Sequence, residues 1–492
     1  MSGIPDRADW ETMNMTEAFR LRPFEDGDFL SVAGDRLVLE GVDLTALAQE
    51  HGTPLFVYSE TRLRQNARGL QEAFRRHHPN SSVCFASKAC ANLSVLRLVG
   101  QEGVDLEVNS GGELQKARRA GFDASRLVFN GVAKSEAEIA LALDPPIKAI
   151  NVDSPFELAR IVDVATQRGV RANVALRGVP GVEGGSTAGI ETGSTRSKFG
   201  MTQGEIDTCL GLADEHPGAI AVVGLHVHIG SQMTDLGLYA EAARYVAGRA
   251  ATIRARFPAD FAHVNIGGGF PINYVKYDDQ SAAIGYFHSH VDVDDIAATV
   301  APILTAALGQ DIEILTEPGR AMTSNAAVCL ARVEGIKERE GTRWLYLDTG
   351  YSVLPESGFG WYFHMVTANR AADTDTAQMR VVGPLCDSID VFFDMEGESK
   401  LAALLAAEPA LAEHADLLRR KLVHMPPFRE LPAATGPGDI VAILDTGAYQ
   451  IEMANHYCGR LRPAAVMVGE DGSVTTIRRR DTLDDLIAAE EA

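Results

Sequence analysis

The sequence predicts an α/β protein: a (β/α)8 barrel followed by a mostly β domain. Three observations carry the prediction. Eight short apolar runs recur at 83–86, 104–108, 127–129, 149–152, 172–176, 222–227, 263–266 and 313–315, with helical stretches between them. Short apolar runs bounded by turn signals mark buried parallel strands, and eight βα units in succession suggest a closed barrel. After about residue 321 the helical alternation stops, and strand-like runs take over at 328–333, 344–347, 379–382, 439–444 and 465–468. Finally, 492 residues are too many for one ordinary domain.

Taken in order, residues 1–27 read as a polar arm. Residues 28–60 read strand, turn, short helix, strand, with Gly52-Thr53-Pro54 breaking the helix. This segment is expected to pack with the β domain. A helix over 61–78 precedes the first barrel strand, and the barrel runs over 61–321. Its early strands start about 21 to 23 residues apart, the length of a strand, a helix and two loops. The spacing then stretches, so insertions are expected at 178–200 and 273–295, both after strand ends and hence at the catalytic mouth. The β domain spans 322–492. It ends with a turn at 470–472 leading into a strand at 474–477, and it contains a helical insertion near 397–423, rich in Ala and Leu.

Composition narrows the function. A net charge of −22 argues against nucleic acid as a partner, and 46% hydrophobic content gives an ordinary core. Six cysteines without a CxxC pair suggest neither a zinc site nor a disulfide framework. The first 25 residues are charged and lack an apolar stretch, so no secretory signal is expected. No apolar run reaches membrane-spanning length, and the expected compartment is the cytoplasm.

The first barrel strand runs Val83-Cys84-Phe85-Ala86-Ser87 into Lys88. Lysines after strands are ordinarily surface residues. At the carboxyl end of a barrel strand, however, a partly desolvated amine can condense with a carbonyl. Gly267-Gly268-Gly269 follow the seventh strand, where barrels commonly cradle phosphate on backbone N–H groups; such a run is otherwise a turn. Glu317-Pro318-Gly319-Arg320 follow the eighth. The glutamate could hold a pyridine nitrogen protonated and the arginine could bind an anion; the plain alternative is a strand-end salt bridge. His226 and His228 share one face of the sixth strand. His228, nearer the mouth, can stack on a planar ring, Ser231 can donate to phosphate, and His226 reads as a buried, hydrogen-bonded core residue. A third metal ligand is not evident nearby. In the β domain, Cys386 could be a general acid, Asp387 could pair with an ammonium, and Tyr449 could donate to phosphate. Together these are the parts of a pyridoxal phosphate site.

Lys88 in FASKA, HIGS at 228–231, GGGF at 267–270, EPGR at 317–320, GPLCDS at 383–388 and GAY at 447–449 stand in the order seen in fold-type III pyridoxal phosphate decarboxylases. This family includes ornithine, arginine and diaminopimelate decarboxylases. The chain resembles it from about residue 28 to 480. The resemblance implies an alanine racemase-like barrel and a cytoplasmic homodimer with shared active sites. Lys88 would form the Schiff base and His228 would stack on the ring. Ser231, Gly268, Gly269, Arg320 and Tyr449 would bind the phosphate, and Glu317 would hold the pyridinium. Cys386 and Asp387 would come from the second subunit, the cysteine to protonate the carbanion and the acid to meet the substrate's distal end, with Glu356 and Arg320 also at the substrate.

Diaminopimelate decarboxylases carry an Arg-Pro pair after their Asp-Ala-Gly-type motif. Residues 348–356 here contain no arginine, and Glu356 falls near its place. An acid in place of a base favours a distal ammonium. The segments DTGYSVL and GPLCD are most similar to bacterial D-ornithine/D-lysine decarboxylases, which implies release of putrescine or cadaverine. SKFG at 197–200 is more like the diaminopimelate group, so meso-diaminopimelate remains an alternative, as does a conjugated diamino acid. An amino-acid racemase would share both domains but would not need Cys-Asp-Ser at 386–388. A pyridoxal phosphate homeostasis protein would lack the β domain. An inactive regulator would have lost the lysine or the phosphate motifs, and both are present.

Overall fold

The chain opens on a small antiparallel sheet in the computed structural model, which describes residues 29–182, 193, 197–276, 287 and 289–490. The polar arm 1–27, Arg196 with most of the 181–200 loop, and 277–286 of the second insertion lie outside the described residues. The strands of this sheet are β1 (Leu30–Ala33), β2 (Arg36–Leu39) and β3 (Val42–Asp43). Asp43 then caps the helix Leu44–His51, its carboxylate accepting from Thr45 N at 2.7 Å. β4 (Leu55–Ser59) follows, buried throughout.

The eight apolar runs are eight parallel strands closed into a barrel, as the spacing predicts: β5 (Ser81–Ala86), β6 (Asp105–Val108), β7 (Leu127–Phe129), β8 (Ala149–Val152), β9 (Ala172–Arg177), β10 (Ile220–His226), β11 (His263–Asn265) and β12 (Glu313–Thr316). β12 closes onto β5, with Thr316 opposite Val83. Hydroxyls before the helices accept backbone N–H groups of the first turn. Ser110 serves Glu113, Ser135 serves Glu138 and Ser154 serves Glu157. Gly121 and Gly169 take the left-handed conformation that ends two of these helices.

Alternate residues point into the barrel and fill it in layers. Cys84, Val128 and Leu315 form the apolar middle. Towards the amino ends of the strands, Lys148 lies between Asp105 (3.3 Å) and Glu313 (2.9 Å), and Ser82 donates to Glu313 at 2.6 Å. Towards the carboxyl ends the inward residues are again polar, and they make the site described below.

The barrel unit comprises Leu63–Pro271 and His290–Thr323. The second unit contains the described residues before Leu63, those between 272 and 289, and those from Ser324 on. It is built on a nine-stranded sheet. Its strands after the barrel are β13 (Ala327–Arg339), β14 (Thr342–Leu347), β15 (Met365–Thr367), β16 (Thr376–Val382), β17 (Arg429–Pro432), β18 (Ile440–Ile443), β19 (Ala464–Val468) and β20 (Val474–Arg478). Seven strands run β17-β16-β14-β13-β4-β19-β20 in order, and β18 pairs with β13 and β15 off that path. β4 is central here, parallel to β19 and antiparallel to β13. That is why its five residues are all apolar or small and all buried. β15 and β17 escape the sequence reading because three or four residues carry too little periodicity. Two helices, Met395–Ala407 and Ala415–Leu422, stand between β16 and β17. Among the described residues, no helix is long and apolar enough to cross a membrane, and no cluster of three or more His, Cys, Asp or Glu side chains could hold a metal ion.

Candidate active site

The carboxylate of Glu317, just past β12, is the best-held group of the barrel unit. Its Oε2 accepts from Asn130 Nδ2 at 2.8 Å and from His226 Nε2 at 3.1 Å. Its Oε1 accepts from Asn265 Nδ2 at 2.7 Å and, more weakly, from Asn151 Nδ2 at 3.3 Å. Burial alone would raise its pKa, but the His226 and asparagine bonds outweigh burial and hold Glu317 below the usual carboxylate range. Burial also drives His226 towards neutral, so the imidazole serves as an N–H donor. His226 is the buried, hydrogen-bonded residue the sequence suggests, yet its partner is Glu317, and that makes it part of the site.

His228, two residues on, is half-buried. Burial, and then the charge of Lys88, push its pKa well down, so the ring is neutral near pH 7. Gly268 N donates to its Nδ1 at 3.2 Å, which places the proton on Nε2. The glycine loop packs against its neighbours too closely for any side chain. A Cβ on Gly268 would run into the carbonyl oxygen of Glu317, and one on Gly269, whose φ is 90°, would strike the carbonyl of Gly230. Across this cradle, Arg320 Nε donates to Ser231 Oγ at 3.3 Å, and Arg320 is 4% exposed.

Lys88 sits in the short turn Ser87–Ala89 after β5, the only exposed residue between Val83 and Ala91. The charge of its amine acts on Glu107 and on His228, so the amine stands among the groups at the barrel mouth. Glu113 fixes the turn below it, accepting from Ser87 Oγ at 2.6 Å and Asn109 N at 2.7 Å. Glu107 stands opposite Ala86 in register, 1% exposed. Burial and then the charge of Glu317 push its pKa up to about 8. Glu107 and the asparagines 130, 151 and 265 escaped the sequence reading. The signal was there: each is a polar residue within or just after a buried barrel strand.

The barrel unit thus offers an exposed amine, a neutral imidazole and an ionised, fully hydrogen-bonded acid. It adds a glycine cradle beside Ser231 and Arg320. A pyridine ring with a phosphate arm fits this donor set: the acid suits a protonated ring nitrogen, and the cradle admits only backbone at the anion.

The remaining predicted residues lie in the β unit. Cys386 is exposed and Asp387 half-buried, both after β16. Asp387 Oδ1 accepts from Ile389 N at 3.2 Å, and Oδ2 accepts from Tyr351 Oη at 2.9 Å and Tyr457 Oη at 3.3 Å. The Ile389 N–H first, then the Tyr351 hydroxyl, hold its pKa below the ordinary value. Glu356 is buried, and its Oε2 accepts from Gln450 Nε2 at 2.6 Å. Tyr449, next to Gln450, takes a left-handed φ of 68°. Glu356 is thus joined to the turn that carries Tyr449.

Residues 62–324 match the family model described as pyridoxal-dependent decarboxylase, pyridoxal binding domain. The chain is 32% identical over 473 residues to a diaminopimelate decarboxylase of Methanocaldococcus jannaschii, covering 94% of this chain and 97% of that one. It is 31% identical over 468 residues to one of Haemophilus influenzae, covering 94% and 99%. Among solved structures, M. jannaschii diaminopimelate decarboxylase in complex with L-lysine is similar with a TM-score of 0.79 and 31% identity, covering 94% and 98%.

Proposed function

The chain belongs to the pyridoxal-dependent decarboxylases, and from that premise we propose that it decarboxylates meso-diaminopimelate, with Lys88 as the amine that binds the cofactor covalently. The enzyme is a pyridoxal phosphate-dependent carboxy-lyase. The observation that carries the substrate is the length of the likeness: about 30% identity to diaminopimelate decarboxylases over nearly the whole chain. That favours the alternative substrate over the basic D-amino acid suggested first by the DTGYSVL and GPLCD segments.

One observation keeps D-lysine or D-ornithine as the second reading. Residues 348–356 hold no arginine, and Glu356 is a buried acid. A distal carboxylate placed near it would set two anions together, which is costly in a partly desolvated cleft unless a cation intervenes. Lys198 is one candidate cation, and Arg196 another.

Bound at the barrel mouth, pyridoxal phosphate supplies a carbonyl for the substrate amine and an electron-poor ring that takes up the electron pair left by departing carbon dioxide. The chain's residues orient and tune. Glu317 stays ionised and so keeps a proton on the ring nitrogen. Neutral His228 would meet the ring face without adding charge. Ser231, Gly268, Gly269 and Arg320 would hold the phosphate arm, and Tyr449 is the residue the resemblance adds to them. Cys386 would supply the proton that replaces the lost carboxylate, and Asp387 would receive the distal ammonium. Both act from the second subunit of a homodimer.

A decarboxylation screen tests the substrate. It should compare meso-diaminopimelate with both enantiomers of lysine, ornithine and arginine and with conjugated diamino acids. We expect meso-diaminopimelate to lead. A lead for D-lysine or D-ornithine would transfer the assignment to the second reading, and no turnover of any diamino acid would overturn both. Subunit mixing tests the shared site. An exchanged one-to-one mixture of Lys88→Ala and Cys386→Ala should recover about a quarter of wild-type activity, since half the dimers are mixed and each has one intact site. No recovery after verified exchange would place both residues of a site in one chain.

A further inference from the structure

Two tyrosine hydroxyls converge on one oxygen of Asp387, and nothing in the reaction described above uses them. The tyrosines come from distant parts of the β unit, Tyr351 from the turn after β14 and Tyr457 from the stretch after β18. Their rings lie 5.7 Å apart at 30°, so the two hydroxyls reach Oδ2 side by side. Each backbone is held in turn. Tyr351 N donates to Asp390 Oδ1 at 2.8 Å, while the other oxygen of Asp390 accepts from Leu385 N at 2.7 Å. Asp390 is 2% exposed and sits so close to Gly350 and Gly383 that neither could carry a side chain. One buried acid therefore ties the turn bearing Tyr351 to the segment bearing Cys386 and Asp387. Asn455 N donates to Ser352 O at 2.9 Å, and His456 meets Asp481 at 2.8 Å, which fixes the approach of Tyr457.

A half-exposed aspartate left alone samples several rotamers and is hydrated on both oxygens. With Oδ2 receiving two hydroxyls and Oδ1 receiving the Ile389 N–H, the carboxylate is oriented. We propose that Tyr351 and Tyr457 are positioning residues that aim Asp387 at the distal ammonium of the substrate and so set the preference for diamino acids. This rests on the assignment of Asp387 to the distal end given above. Two hydroxyl donors suit a carboxylate that must stay ionised and still meet a cation. A lysine or arginine in their place would neutralise it.

The test is a double-mutant cycle on the best diamino acid of the screen, with Tyr351→Phe, Tyr457→Phe, Asp387→Asn and Tyr351→Phe/Asp387→Asn. Tyr351→Phe should raise KM about tenfold, the scale of one hydrogen bond to a charged group, and change kcat less than about twofold. Tyr457→Phe, with its longer bond, should act in the same direction and less. In the Asp387→Asn background, Tyr351→Phe should add nothing beyond about twofold. Calorimetric titration with L-lysine should show the same weakening in the single variants. A KM for both single variants within twofold of wild type would overturn the proposal while leaving the decarboxylase assignment intact. So would an equal loss with and without Asp387, the mark of a merely structural role. Failure of every diamino acid in the screen would overturn the assignment and this proposal together.

Discussion

Lys88→Ala is expected to lower turnover by on the order of three or more powers of ten, the scale on which loss of a covalent catalytic group is felt. Two readouts besides activity check the cause. The wild-type protein should show the visible absorbance of a pyridoxal imine, and the variant should lose it. Borohydride reduction of the wild type should then label the peptide containing Lys88. Its position supports the expectation: Lys88 is the only exposed residue in a buried run, on a turn braced from beneath by Glu113 through Ser87 and Asn109. Nearby Lys134 does not compete. It is buried, and its amine is committed to Glu157 (2.7 Å) and to the carbonyls of Gly131 (2.7 Å) and Asn151 (2.8 Å). Label on another lysine would refute the assignment of Lys88.

Glu317→Gln is the second large effect. The substitution keeps length and shape but removes the charge that four neighbours stabilise. Decarboxylation should slow by roughly two or more orders of magnitude, as when one preorganised electrostatic contact is lost. The phosphate cradle is untouched, so the variant should still bind the cofactor and show a visible band. Near-normal turnover in a folded, cofactor-loaded variant would reduce Glu317 to a structural role.

Much of this arrangement is written locally in the sequence, and the rest is not. The barrel strands are legible because each is a short apolar run closed by turn residues. The lysine, the glycine loop and the Glu317-Arg320 turn are legible because each follows such a run directly. What escaped depends on neighbours distant in sequence. Asn130, Asn151 and Asn265 look like ordinary strand-end polar residues until the barrel closes and turns all three towards one carboxylate. His226 could be recognised as buried and bonded, but not as a partner of Glu317. Glu356 illustrates the same limit. Its place in the chain suggests a role at the substrate, but its hydrogen bond to Gln450, 94 residues away, leaves no local mark in the sequence. The segment holding β4 is expected from the sequence to pack with the β domain, but its pairing with β13 and β19 in particular has no local mark.

The bonds to Glu317 also bear on the order in which the protein is made. Its partners precede it by 187, 166, 91 and 52 residues. During synthesis from the amino end, the three asparagines and His226 are therefore all extruded before the acid they hold. Until then these polar groups lack the carboxylate that joins them in the finished barrel. The last barrel strand ends at Thr316, so closure of the ring and delivery of Glu317 are nearly one event. Contacts of such long sequence separation form late, because the intervening chain must be ordered first. A nascent chain with seven strands has the lysine and the glycine loop but cannot hold a pyridinium. Closure of the ring and delivery of its best-bonded acid thus arrive together, with the eighth strand.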